Sequence, residues 1–194
     1  MRLLMRSFLV ACVGTSLLAG ATFAQASVHS TVSTIPTASA AVAGSIAVSI
    51  GAGAVQSLPS VIDNTANTFP SSVTITLTWE LHPSTGAIQV IGYFADPSAA
   101  MVSGPVSIPA SWLKGRVLTA DMPGAPTTFT AFAQAGAGGV GSAGGSLSLI
   151  TQPVLGYSKT GTRTFDLELQ LDLTGRVLTP GAYTGTLNIR AVTQ

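Results

Sequence analysis

Residues 164–173 alternate apolar and polar side chains with a period of two. Phe165, Leu167, Leu169, Leu171 and Leu173 interleave with Thr164, Asp166, Glu168, Gln170 and Asp172, so an extended backbone gathers every apolar group on one face. A helix would scatter the same residues around its circumference. Residues 183–192 repeat the alternation. Residues 73–81 repeat it strongly, with Val73, Ile75, Leu77, Trp79 and Leu81 set against Thr74, Thr76, Thr78 and Glu80. His82, Pro83 and Gly86 then form a turn signal before another apolar run at 87–94, which predicts a hairpin between 73–81 and 87–94.

Weaker alternation marks further strands. In residues 42–50, Val42, Gly44, Ile46, Val48 and Ile50 face away from Ala43, Ser45, Ala47 and Ser49. Residues 127–134 place Phe129 and either Ala131 or Phe132 inward, and 146–150 begin another strand. Between them, Asp96 and Pro97 suit the cap and first position of one helical turn. Residues 107–118, with Pro105 and Pro109 nearby, predict an irregular crossing or an edge strand. The glycine-rich stretch 135–145 reads as a loop. About seven or eight short strands and no helix beyond the N-terminus predict an all-β fold, an antiparallel β-sandwich.

The N-terminus has a different character. Arg2 and Arg6, an apolar run over 7–18, and Ala24, Gln25 and Ala26 as an A-x-A cleavage site follow the order of a secretory signal peptide. The predicted organisation is a cleaved signal at 1–26, a flexible Ser/Thr/Ala-rich arm at 27–41 and a sandwich domain at 42–194. Glycine and hydroxyl residues interrupt the apolar run, which falls short of the roughly 20 residues of a membrane span. Cys12 is the single cysteine. A lipoprotein box at 9–12 is disfavoured, because only five residues separate Arg6 from Cys12 and the apolar run continues past it. A chain cut after Ala26 has no cysteine and forms no disulfide. Its stability rests on core burial and strand pairing, in a secreted, periplasmic or cell-surface setting.

Charge narrows the function classes. Without Arg2 and Arg6, six basic side chains face seven acidic ones, leaving no basic stripe for nucleic acid and no polybasic membrane patch. Gly136, Gly138 and Gly141 match the spacing of a dinucleotide-binding loop, but the residues that follow predict a strand where that motif needs a helix and a later acidic residue. His29 and His82 are the only histidines. Neither offers a persuasive catalytic base, and the pair supplies no zinc-ligand spacing. No catalytic residue, metal ligand or cofactor is predicted. Asp166, Glu168 and Asp172 share one strand face and read as a solvated stripe, with Arg190 able to pair with Asp166 if the last two strands are neighbours. Of the aromatic residues Trp79, Tyr93 and Trp112, Trp79 is a core residue by its alternation. Trp112, beside Lys114 and Arg116, is the candidate ligand contact, with a glycan as the ligand class.

Residues 178–189 carry a resemblance. The run Leu178, Thr179, Pro180, Gly181, Ala182, Tyr183, Thr184, Gly185 and on to Ile189 resembles the closing strand of bacterial secreted immunoglobulin-like domains, including fimbrial subunits of the chaperone-usher type. It covers about thirty residues at the C-terminus. Gly181 is fourteenth from the end, where those subunits similarly carry a glycine. The departures are Thr193 in place of a penultimate aromatic and the impossibility of a disulfide. The resemblance implies an immunoglobulin-like sandwich acting as a structural or adhesive module completed by a strand from a like subunit or a periplasmic chaperone. The candidate assembly residues are Val42, Gly44, Ile46, Val48 and Ile50 as donor, and Gly181, Tyr183, Leu187 and Ile189 on the closing strand. Residues 42–50 also fit, and fit better, the first strand of their own domain, since any strand with a half-buried face shows the same alternation. The G-x-Y step is similar to a tyrosine corner, which sends the last two strands to opposite sheets and competes with a direct hairpin. The second functional class is a monomeric carbohydrate- or ligand-binding module.

Overall fold

The computed structural model describes residues 25–32, 45–81, 86–154 and 160–194. Two β-sheets enclose one core. The first sheet contains β1 (Gln25–Val32), β3 (Val55–Leu58), β6 (Ala87–Tyr93), β7 (Met101–Ser103), β8 (Val106–Ile108), β11 (Ser146–Pro153) and β13 (Ala182–Thr193). Its principal order is β11-β6-β13-β1-β3, with β7 joined to both β13 and β8. The second sheet contains β2 (Ser45–Ile50), β4 (Ala66–Thr68), β5 (Val73–Glu80), β9 (Leu113–Val117), β10 (Thr130–Ala131) and β12 (Thr160–Asp172). Its order is β10-β9-β12-β5-β2, and β4 also pairs with β12.

The strong alternations form the interior. Val73, Ile75, Leu77 and Trp79 of β5 and Phe165, Leu167, Leu169 and Leu171 of β12 are buried, as are Ile88 and Val90 of β6 and Leu187 and Ile189 of β13. Fully burying a side chain of this size is worth about 1.5–3 kcal/mol. Phe132 packs where Gly92 and Gly115 leave space: a Cβ at either would meet its ring at 3.1 or 3.3 Å. Phe94 closes on Phe132 edge to face, with centroids 5.2 Å apart.

Several expectations change at the level of pairing. The segments expected to form a hairpin, now β5 and β6, lie in different sheets: β5 pairs with β12 and β2, and β6 with β11 and β13. Both have apolar inner faces, so crossing the core satisfies each as well as pairing side by side. β12 and β13 also lie in opposite sheets, so the corner prevails over the hairpin, and Asp166 and Arg190 are not cross-strand neighbours. Residues 107–118 are more regular than their prolines suggest, because β9 is held on both sides by β12 and β10. Residues 127–134 contribute only the two-residue β10, with Phe132 buried and Phe129 half-buried. At 96–99 there is a turn rather than a helix; Asp96 still caps it, accepting from the Ser98 N–H and hydroxyl at 2.8 and 2.7 Å.

The strand count rises to thirteen segments among the described residues, because short strands form wherever prolines and glycines interrupt the chain between longer ones. Residues 27–32, expected in the flexible arm, belong to β1. The signal segment lies almost wholly outside the described residues, and no described helix is long and apolar enough to cross a membrane.

Candidate functional site

The first strand occupies a slot between the last strand and β3. It runs parallel to β13, from Gln25 opposite Ala182 to Val32 opposite Ile189. On its other side it is antiparallel to β3, from Ala26 opposite Leu58 to His29 opposite Val55. The Ser30 N–H also donates to the Ala54 carbonyl at 3.0 Å. β1 therefore carries β3 into the first sheet, since the path reaches β3 only through it. Of its described side chains, Val28 is fully buried, while the Ser30 hydroxyl is enclosed without a hydrogen-bond partner. The expected cleavage point after Ala26 falls inside β1 and leaves Ser27 to begin the strand.

The closing strand is fixed at its entry by a corner. Tyr183, 1 % exposed, donates from its phenol to the Thr179 carbonyl at 2.8 Å. Burial raises its pKa. Gly181 admits β7, since a Cβ there would lie 2.5 Å from the Ser103 Oγ. Leu187 and Ile189 are buried in the core, on β13 opposite Ser30 and Val32. The structure thus brings the C-terminal candidates Tyr183, Leu187 and Ile189 against β1.

The proposed donor residues go elsewhere. Val42 and Gly44 lie outside the described residues. Ile46, Val48 and Ile50 belong to β2, opposite Trp79, Leu77 and Ile75 on β5. Val48 is buried, and Ile46 and Ile50 pack against the core. Here β2 is a strand of its own domain, at the edge of the second sheet. β1 is the strand that sequence reading missed. Its alternation of Ala26, Val28, Ser30 and Val32 was the available signal, but small and hydroxylated residues dilute it and the cleavage motif overlaps it.

The remaining candidates find structural partners. Trp112 sits in a short 3-10 turn, Ala110–Trp112, packed against the core, with the Arg176 guanidinium 4.6 Å from its ring centroid. That cation occupies one face of the ring. Asp172 pairs with Lys114 at 2.6 Å and Glu168 with Arg116 at 2.5 Å, while Asp166 accepts from the Thr74 hydroxyl at 2.7 Å. Lys114, and then the Thr174 side chain and N–H, hold the Asp172 carboxyl well below the usual carboxylate range. No group of three or more His, Cys, Asp or Glu residues among those described is arranged to hold a metal. His82 is outside the described residues. Gly136, Gly138, Gly139 and Gly141 all adopt positive φ in a loop that runs into β11; the helix N-terminus that a dinucleotide pyrophosphate needs is replaced by a strand. No protein-family model matches the chain, and no curated protein matches it.

Proposed function

We propose that this chain is a secreted, non-catalytic structural or adhesive module with an immunoglobulin-like sandwich, a fimbria-like subunit that assembles by β-strand complementation. The observation that carries this reading is the position of β1. An N-terminal strand fills a slot between β13 and β3, hydrogen-bonded along its backbone to both. Main-chain pairing is sequence-tolerant, so an equivalent strand from a like subunit or from a periplasmic chaperone can occupy the same slot. The donor in this reading is β1 rather than residues 42–50, whose described part pairs within its own sheet. Twelve residues, 33–44, separate β1 from β2. Fully extended, they reach about 40 Å, enough for a strand to be offered to a neighbour. The signal-like N-terminus supports export, and the corner at Tyr183 supports the immunoglobulin-like reading.

The test compares chains beginning at Ser27 and at Ser45 by size exclusion and thermal melting, with a peptide of residues 27–32 added back. The shorter chain is expected to be unstable or aggregated and to regain a cooperative transition with the peptide. Two equally stable monomers that ignore the peptide would sink the proposal.

A further inference from the structure

The hydrogen-bond ladder on one side of β13 is interrupted. β13 pairs with β7 at Thr184 and Gly185 and with β6 from Asn188 onward, so Thr186 and Leu187 have no strand opposite them on that side. Which backbone groups face the gap follows from the register. Just past the end of β13, the Ala87 N–H donates to the Gln194 carbonyl at 3.2 Å and the Gln194 N–H donates to the Ala87 carbonyl at 2.8 Å. Such two-way exchanges recur at every second residue of an antiparallel pair, so the even-numbered residues from Thr184 to Gln194 direct their N–H and C=O toward β6 and β7. Leu187 and the other odd-numbered residues face β1. Thr186 falls in the gap, and neither of its backbone groups has a hydrogen-bond partner among the described residues.

The gap opens into a groove. The chain leaves β6 at Phe94, turns at 96–99 and returns to β13 as β7, and a concavity of about 530 Å³ lies between this excursion and the strand. A Cβ at Gly185 would strike the Ala100 carbonyl, so the excursion sits close against β13 there. Ala95, Ala99 and Val102 form the apolar part of the lining, and Val102 is 43 % exposed. Thr184, Thr186 and Asp96 form the polar part. The Ser98 N–H and hydroxyl both donate to Asp96 Oδ1, which fixes the carboxylate and leaves Oδ2 without a partner among the described residues. The same two bonds hold the Asp96 carboxyl below its ordinary range, so it is an anion at neutral pH. The volume is that of a small-molecule site.

The free groups select among ligands. A strand added to a sheet needs a row of backbone groups recurring at every second residue. Here one residue offers its pair, and paired residues close the gap at both ends, so an extended peptide has nothing to continue along. A compact ligand suits the site instead. It has to donate to the Thr186 carbonyl and to Asp96 and accept from the Thr186 N–H, while the threonine hydroxyls do either. The Asp96 charge disfavours phosphates and carboxylates. An ammonium group satisfies the acceptors but leaves the N–H unpaired. Hydroxyl groups both donate and accept, and several of them on an aliphatic ring also bring C–H groups to cover Ala95, Ala99 and Val102.

We infer that the groove between residues 94–102 and β13 binds a neutral sugar ring, whose hydroxyls bond the Thr186 N–H and C=O and the Asp96 carboxylate. This names a ligand class for the adhesive reading proposed above and rests on that reading for its biological role. The site is separate from Trp112, and it lies on the opposite edge of β13 from the β1 slot.

Amide chemical-shift titration of the isotope-labelled full chain tests the inference, with glucose, mannose, galactose and N-acetylglucosamine as the probes. At least one sugar is expected to give saturable shifts centred on the Thr186, Asp96 and Ala99 amides. The Thr186 amide proton should exchange rapidly with solvent in the free protein and slow at saturating sugar. Asp96→Asn keeps an acceptor for Ser98 but removes the charge, and it should weaken binding by about ten-fold. Thr186→Val keeps the shape and should weaken it by about three-fold or more. Circular dichroism confirms that both variants fold. The absence of saturable shifts with all of these sugars, shifts that ignore both variants, or a Thr186 amide already protected in the free protein would overturn the inference. So would saturation by trialanine or by ethanolamine in place of the sugars, which would make the groove a peptide or a cation site. Exchange with a labelled 27–32 peptide is measured on the same samples. A chain that exchanges the peptide and binds no sugar refutes this site alone, and one that binds sugar and ignores the peptide refutes strand exchange alone.

Discussion

The Tyr183 phenol donates a 2.8 Å hydrogen bond to the carbonyl of Thr179, four residues upstream. This bond pins the segment that carries the chain from β12 in the second sheet to β13 in the first. Tyr183→Phe keeps the ring and leaves a carbonyl without its partner. It should destabilise the protein by about 1–3 kcal/mol with the fold retained, measured as a lower urea midpoint at unchanged slope. An unchanged midpoint would show that the corner is held by packing alone.

Gly161 lies opposite Trp79 on the neighbouring strand, and a Cβ there would sit 2.3 Å from the Trp79 ring. Gly161→Ala therefore has to displace a side chain that is only 6 % exposed. A loss of about 1–3 kcal/mol is expected from overpacking. The same substitution in a Trp79→Leu background should cost clearly less, and equal costs in both backgrounds would refute the steric account.

Ser30 points the other way. Its hydroxyl is enclosed in the β1 slot without a partner, so Ser30→Val removes an unsatisfied group and adds apolar volume and β-propensity. The variant should be more stable by about 1 kcal/mol and should hold β1 more firmly. Slower exchange with a labelled 27–32 peptide is the accompanying readout. A lower melting temperature would mean that the slot has no room for the added methyl group.

Lys114 and Thr174 lower the pKa of Asp172 in the folded protein. A depressed folded pKa favours the folded state fully above the unfolded-state value of about 3.9, and that contribution fades as pH falls through the folded value. The stability gap between wild type and Asp172→Asn should therefore be widest above about pH 5 and close in acid. Its size should be about 1 kcal/mol or less, because the pair is partly solvated. Denaturant titrations at several pH values measure it, and a gap that widens in acid would contradict the assignment.

The hydrophobic rhythm made the longest strands legible. Phe165, Leu167, Leu169 and Leu171 and the four from Val73 to Trp79 are the buried faces of β12 and β5, Leu173 is buried just past the end of β12, and Trp79 is a core residue as its neighbours imply. The glycine-rich stretch is a loop. Gly181 and Tyr183 also signalled the corner, because a local sequence step specified a local hydrogen bond. β1 was less legible. Its pairing with β13 is to residues more than 150 positions away, which no local pattern announces.

Alternation along a strand determines which face is buried, because side chains of an extended backbone point to opposite sides at every step. It carries no information about which strand lies alongside, since backbone hydrogen bonds are the same for every residue but proline. The sequence by itself therefore determined an all-β chain, its strongest strands and their inner faces. Only the tertiary structure decided that β5 and β6 part into different sheets and that β1 enters beside β13. Those outcomes depend on contacts between distant segments, whose energy exists only once the two sheets have closed on a common core.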